Sequence, residues 1–213
     1  MGSIMTRMRI ITRTLAAAAL LAATSCSSTV RTGSSPMFLV IDSMAGIRGA
    51  ATAGTPSAFL ISDLLTIVTS GGTCTTANPC PTVFGDSGQA VLELAKKDVT
   101  STAAPTTNNQ VTINRIHVHF HLTNGSGTSG VDVPADFDTF STATVPASGS
   151  TTVSFELVRI QAKESPPLST LLANGGLLSA VADITFFGTD QVGNAISVTG
   201  SIAIQFGNFG DPS

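Results

Sequence analysis

The stretch FFGTDQVGNAISVTGSIAIQF, residues 186–206, contains two alternating apolar and polar runs joined by a turn. In the second run the apolar and polar residues take opposite parities, as in a strand with one buried face: Ile196, Val198, Ile202, Ile204 and Phe206 against Ser197, Thr199, Ser201 and Gln205. Between the runs, Gly193 and Asn194 tolerate the positive φ of a tight hairpin. The sequence therefore predicts a closing β-hairpin, with a bulge or bend at Gly200.

Other apolar runs rich in Val, Ile, Thr and Phe predict the remaining strands. The runs at 37–42 and 57–68 are apolar enough for central strands. Prolines near the start and Asn174-Gly175 near the end of residues 164–176 predict one short helix. About seven or eight strands with one short helix indicate an all-β sandwich. The predicted strands are residues 37–42, 57–68, 89–99, 110–122, 150–163, 180–190 and 194–208.

Two of these strands change phase midway. In the strand at 110–122, Val111 and Ile113 occupy odd positions, whereas the apolar residues of 116–122 occupy even positions. In the strand at 150–163, the apolar residues of 153–157 occupy odd positions and those of 158–160 even positions. Because a one-residue slip turns every later side chain to the other face, we expect a β-bulge in each strand, or a crossing between two sheets.

The first 25 residues have the pattern of an export signal. Leu15–Ala23 is a nine-residue apolar run, much shorter than the roughly 20 residues that span a membrane. A positive flank, a short apolar core and small residues before a cleavage point are typical of a secretory signal peptide. We therefore predict a signal peptide over residues 1–25. Its positive flank is formed by Arg7, Arg9 and Arg13.

The segment AATSCSS, residues 22–28, resembles the lipobox of bacterial lipoproteins. The resemblance implies that Cys26 is lipidated and becomes the first residue of the mature chain, whereas an ordinary signal peptide cut at the same place is the alternative. It also implies attachment to the cell envelope; with Ser27 rather than Asp after the cysteine, the outer membrane is favoured where a cell has two. Residues 26–35 then form a flexible tether, and residues 36–213 the folded domain.

The chain has three cysteines, an odd number for an exported protein. With Cys26 lipidated, Cys74 and Cys80 remain in a turn-rich segment, and an oxidising compartment allows them to form a disulfide. Five residues separate them instead of the two of a redox motif, and a zinc site would need two further ligands. The pair is therefore predicted to form a disulfide that stabilises a loop.

Charge excludes one class of partner. The whole chain has a formal charge of −3, and without residues 1–25 seven basic and thirteen acidic side chains remain. Nucleic-acid binding depends on neutralising phosphates with Lys and Arg, so no nucleic-acid partner is expected.

About 188 residues are enough for one domain with a sizeable core.

All three histidines, His117, His119 and His121, lie in the segment IHVHFHL. On a strand, residues two apart are separated by about 6.6 Å, so one zinc ion, which holds nitrogens at about 2.0 Å, cannot bind all three. We interpret them as the solvated face of a strand. In the alternative, two of them bind zinc with a ligand from a neighbouring strand.

A second polar cluster, GVDVPADFDTF, supplies Asp132, Asp136 and Asp138. Calcium prefers such oxygen ligands, but the spacing matches no EF-hand loop, and Asp also serves turns. Calcium is therefore an alternative here, as it is near the closing hairpin at Asp183, Asp190 and Asn194.

The closing hairpin, with its D-x-x-G-N turn, resembles that of bacterial immunoglobulin-like and fibronectin-like domains. Residues 108–120, NNQVTINRIHVHF, and residues 130–134, GVDVP, are similar to exported bacterial lipoproteins with one such domain. The resemblance covers most of residues 37–211. It implies an immunoglobulin-like β-sandwich and no known activity.

The sequence contains no G-x-S-x-G elbow and no phosphate-binding glycine loop. We predict no catalytic residue, and no cofactor apart from the calcium and zinc alternatives. The sequence favours a non-catalytic, lipid-anchored envelope protein that binds another protein or a polysaccharide. The alternative function is a metal-dependent enzyme or metal-binding module, with ligands from the His117–His121 strand and from loop carboxylates.

Overall fold

The structure, a computed structural model, describes residues 35–50, 52 and 54–210; the predicted signal peptide and Cys26 lie outside these residues. The described residues are mostly β, with 53% of them in strands and 8% in helices, which confirms the predicted all-β class. The strands are β1 (Met37–Ile47), β2 (Phe59–Asp63), β3 (Thr66–Val68), β4 (Cys80–Thr82), β5 (Asp86–Lys96), β6 (Val111–Leu122), β7 (Phe137–Phe140), β8 (Thr144–Val145), β9 (Ser150–Val158), β10 (Leu177–Asp190) and β11 (Ala195–Gly207); the helices are α1 (Ile160–Lys163) and α2 (Leu168–Asn174).

Two sheets enclose the core. The smaller sheet has the order β1-β5-β9, and the larger has the order β2-β11-β10-β6-β7, with β8 also paired to β6. Neighbours are antiparallel except β2, which runs parallel to β11. The short strands β3 and β4 pair with each other. This count exceeds the seven or eight strands predicted, because short strands carry too few residues to show a period.

The inner faces of both sheets contribute to one hydrophobic cluster. Phe120 on β6 is fully buried at its centre. Its ring centroid lies 6.4 Å from that of Phe137 and 6.5 Å from that of Phe206, within the range of favourable aromatic pairs. The apolar parity of β6 and β11 is therefore the parity that faces the core.

A bulge in β6 confirms the first predicted phase change. Arg115 pairs with Phe187 on β10, but the next β10 residue, Gly188, pairs with Ile113. Asn114 is thus the extra residue, and it allows Ile113 and Ile116 both to point inward although their positions differ in parity.

A second bulge confirms the phase change in β9. Asp86 pairs with Val158 and Ser87 with Glu156, so Leu157 is the extra residue, and Leu157 and Val158 are both fully buried. The predicted continuation of this strand to residue 163 is wrong, because the chain turns into α1 after Val158.

A bulge at Gly200, one of the two expected alternatives, is absent, because the β10–β11 register passes through Ile184 and Gly200 without a shift. The glycine serves close packing instead. A Cβ there would lie 2.7 Å from Ile41 Cδ1 and 2.9 Å from Met44 Cε. Gly200 therefore lets β1 approach β11, a contact between distant segments that no local pattern reveals.

Both strands predicted to be central are edge strands of their sheets, β1 and β2. The predicted strand at 57–68 is also split, because β2 ends at Asp63 and β3 begins at Thr66. Leu64, between them, is fully buried, so the apolar run continues through a break in the ladder. The predicted short helix is present as α2, followed by Gly175 at φ 69°.

The closing hairpin is confirmed, and Asp190 fixes its turn. The Asp190 carboxylate accepts hydrogen bonds from the backbone N–H groups of Val192 (3.0 Å) and Asn194 (2.8 Å) and from Asn194 Nδ2 (2.8 Å). Gly193 takes a φ of 95°, where a side chain would be strained. These bonds hold the pKa of Asp190 below its ordinary value, although burial alone would raise it.

The predicted disulfide between Cys74 and Cys80 is present, with the Cα atoms 5.4 Å apart. It closes the connection between β3 and β4. Replacing both cysteines by serine is expected to lower the free energy of unfolding by about 2 kcal/mol, because so small a ring removes little entropy from the unfolded chain. Urea unfolding of the double variant measures this; a loss above about 4 kcal/mol would contradict a loop staple.

Candidate functional site

The outer face of β6 carries all three histidines, and each one lies beside a carboxylate. His117 Nδ1 lies 3.1 Å from Asp138 Oδ1, and His119 Nδ1 lies 2.7 Å from Asp136 Oδ2. His121 Nε2 lies 3.4 Å from an oxygen of Asp183 on β10. Alternation in the sequence predicted the polar strand face of the histidines but not their carboxylate partners. We call these six side chains the His–Asp face.

Asp136 is the most constrained carboxylate of this face. In addition to the contact with His119, it accepts a hydrogen bond from the backbone N–H of Phe120 at 3.2 Å. Partial burial alone would raise the pKa of Asp136, but the hydrogen bonds, first among them the one with His119, hold it below its ordinary value. These two contacts of Asp136 therefore hold the segment before β7 against the middle of β6.

Arg115 extends this face toward the bulge. Its guanidinium lies 3.9 Å from the ring centroid of Phe187 and its Nη1 lies 3.2 Å from Asp138 Oδ1. Asp138 therefore contacts both Arg115 and His117. The result is a surface of hydrogen-bonded histidine, arginine and aspartate side chains, which can offer hydrogen bonds to a ligand.

The metal-site candidates do not converge. Among the residues that the structure describes, no three His, Cys, Asp or Glu side chains are placed to hold one cation. Asp132 accepts a hydrogen bond from the backbone of Thr128, and Asp183 accepts one from Ser201. The zinc and calcium alternatives therefore find no ligand set in this part of the chain.

The cavity beside Asp136 also lacks the histidines. It has a volume of about 220 Å³, and the polar side chains in its wall are Asp136, Arg159, Gln161 and Ser165. Arg159 stacks on the Phe137 ring at 3.9 Å. An enzyme that used the histidine strand would need a pocket joining the histidines to distant carboxylates, and this cavity does not do so.

Replacing His117, His119 and His121 together by glutamine is expected to cost less than about 1.5 kcal/mol of unfolding free energy, because the three side chains remain partly exposed on the outer face and surface substitutions each stay within about 0.5 kcal/mol. Thermal melts of the variant and the wild type, with and without a chelator, measure this. A sharp fall in Tm, or a wild type destabilised by chelator, would restore the metal hypothesis.

A second polar site, which the sequence analysis missed, lies inside the fold. Lys163, at the end of α1, has a fully buried side chain whose Nζ lies 2.9 Å from Asp86 Oδ2. Nζ also donates to the backbone carbonyl oxygen of Asp63 at 2.8 Å. Ser62 Oγ donates to Asp86 Oδ2 at 2.5 Å, and the Gly49 N–H donates to Oδ1 at 2.8 Å.

Asp63 continues this cluster toward the surface. Its carboxylate contacts Arg48 Nη2 at 2.6 Å and accepts hydrogen bonds from Thr66 Oγ1 and the backbone N–H of Phe209. The Arg48 side chain is 30% exposed, whereas that of Asp63 is 1% exposed. The buried cluster, meaning Arg48, Ser62, Asp63, Asp86 and Lys163, thus links β2, β5, α1 and the chain after β11.

Burying these charges is costly unless each is paired and hydrogen-bonded. Burial lowers the pKa of Lys163 from its ordinary value, and the attraction of Asp86 opposes that shift only in part. One signal was visible in the sequence: charged residues are only 11% of the chain, yet Asp63 interrupts the apolar run at 57–68. A charged residue at a strand end beside buried positions points to a buried partner.

In the described part of the chain, no helix has both the length and the apolar character needed to cross a membrane. Comparison with known proteins found no match to a protein-family model, a curated protein or a solved structure.

Proposed function

We propose that this chain is a bacterial lipoprotein of the cell envelope and that its β-sandwich is a non-catalytic binding module. Residues 1–25 direct export, lipidated Cys26 anchors the mature chain, and residues 26–35 form the tether. The outer membrane is the proposed location in a cell with two membranes. The module binds another envelope protein or a polysaccharide.

The disulfide is the observation that carries the proposal of export. Cytosolic thiols are kept reduced, whereas disulfides persist in exported proteins. Cys74 and Cys80 are bonded, which leaves Cys26 as the one further cysteine in the sequence, at the end of the lipobox-like segment. The pairing therefore accounts for the odd cysteine count and agrees with the export signal.

The His–Asp face supports a binding role. Its imidazoles and carboxylates contact each other across β6, the segment before β7, β7 and β10, and together they present hydrogen-bonding groups to a ligand. The same proposal assigns the sandwich to the immunoglobulin-like type. Two facing sheets and the closing hairpin support that assignment.

Replacing Cys26 by alanine is expected to release the protein from membranes without changing its stability, because the anchor precedes the folded domain. Membrane fractionation after a high-salt wash measures this in a bacterial host that lipidates exported proteins, with Ser28→Ala as the matched control. We expect the wild type and the control to sediment with membranes and the Cys26 variant to remain soluble. A Cys26 variant that still sediments would contradict the lipid anchor.

A further inference from the structure

Lys163 and Asp86 form an ion pair from which water is excluded. Both side chains have 0% exposure, and 2.9 Å separates Lys163 Nζ from Asp86 Oδ2. The two residues lie on α1 and β5, far apart in sequence. The proposed binding role uses neither residue, since both lie inside the sandwich.

We propose that Lys163 and Asp86 condense to form an intramolecular amide bond between Nζ and Cγ. The ammonium carries three protons: one stays on the amide nitrogen, and two move to Oδ2. The Cγ–Oδ2 bond breaks as the Nζ–Cγ bond forms, and Oδ2 leaves as water. The ion pair and the products, an amide plus one water, contain the same atoms and the same total charge, so no co-reactant is needed.

Burial supplies the driving force. Removing an ammonium and a carboxylate from water costs several kcal/mol per ion, a cost that an ion pair must offset through its attraction and its further hydrogen bonds. The amide carries no net charge, so condensation removes that cost. The lowered pKa of Lys163 acts in the same direction, because desolvation favours the neutral amine and the neutral amine is the nucleophile.

The donors around Asp86 suit this reaction. The Gly49 N–H points at Oδ1 at 2.8 Å, where it stabilises the negative charge that develops on the retained oxygen, as in an oxyanion hole. The Ser62 hydroxyl lies 2.5 Å from Oδ2, the oxygen that leaves as water. The backbone oxygen of Asp63 holds Nζ in place at 2.8 Å.

The geometry also selects Asp86 over Asp63. The Asp63 carboxylate is occupied by Arg48, Thr66 and the Phe209 N–H. Only its backbone oxygen contacts Lys163. The site therefore contains one amine and one carboxylate in contact, with a single possible product.

The test is the intact mass of the wild-type protein, purified, denatured, and fully reduced and alkylated so that the disulfide does not contribute. We expect a mass lower by one water, in most of the population, than that of the mature sequence with its lipid on Cys26 and its alkylated cysteines. Proteolysis should then yield a branched species that joins the Lys163 peptide to the Asp86 peptide. Lys163→Arg, which keeps the positive charge without a nucleophilic amine, should show neither change.

Two results would overturn the proposal. One is a wild-type mass equal to that of the lipidated, alkylated sequence without loss of water, which would leave the pair as an ion pair. The other is a loss of water without the branched peptide, which would assign the loss to another site, such as a cyclic imide at an aspartate. Because both measurements use the wild type, a variant that fails to fold cannot obscure the outcome.

Discussion

Replacing Phe120 by alanine is expected to lower the free energy of unfolding by about 3–5 kcal/mol, the usual cost of removing a large aromatic side chain from a core. Phe120 is fully buried, and its ring packs against those of Phe137 and Phe206. The substitution therefore removes contacts to β7 and β11 at once and leaves a cavity between the sheets. Urea unfolding followed by circular dichroism measures the change.

The matched control is His119→Ala, one residue away on the opposite face of β6. His119 is half-exposed, with 45% of its side chain accessible, so its loss should cost no more than about 1 kcal/mol, the upper range for an exposed pair. Equal losses for the two variants would contradict the assignment of inner and outer faces. That assignment determines which side chains a partner can reach.

Relative to Lys163→Arg, which also cannot form the amide, replacing Lys163 by methionine is expected to lower the free energy of unfolding by about 3–5 kcal/mol, because it leaves the Asp86 carboxylate buried without a cation. Ser62 and Gly49 would still donate to that carboxylate, but neither neutralises it. Methionine is close to lysine in length and apolar, so the loss reports the missing charge and not a large cavity. Urea unfolding at neutral pH measures the effect.

The control is the double variant Lys163→Met with Asp86→Asn. The asparagine oxygen can still accept the Gly49 N–H, and the buried negative charge is gone, so stability should recover by more than half of the single-variant loss. If the double variant is less stable than Lys163→Met alone, the penalty does not come from an unpaired charge. In that case the cluster acts mainly through packing.

The fold was predictable wherever a local pattern encodes it. Alternation over 110–122 and 194–208 predicted β6 and β11, and the parity changes near Asn114 and Val158 predicted both bulges. The edge position of β1 and the role of Gly200 were not predictable, because both depend on which strand packs against which. Apolar content alone does not separate central strands from edge strands when one face of each is buried.

The two polar sites were also predictable only where a local pattern encodes them. The histidines were placed on the outer face of β6 by parity, but their carboxylate partners depend on the pairing of β6 with β7 and β10. In the buried cluster, Asp63, Asp86 and Lys163 belong to three different elements. Lys163 falls within a run that looked like a strand and is in fact α1. Long-range contacts of this kind leave no period in the sequence.

The most direct test of the lipoprotein proposal is the mass of the N-terminal peptide of the mature protein, isolated from the membranes of a bacterial host. We predict a peptide that begins at Cys26 and carries the mass of a diacylglyceryl group, with acyl-chain heterogeneity and sensitivity to lipase. A peptide that begins at Cys26 with an unmodified thiol would contradict the lipid anchor. A peptide that retains residues 1–25 would contradict export as well.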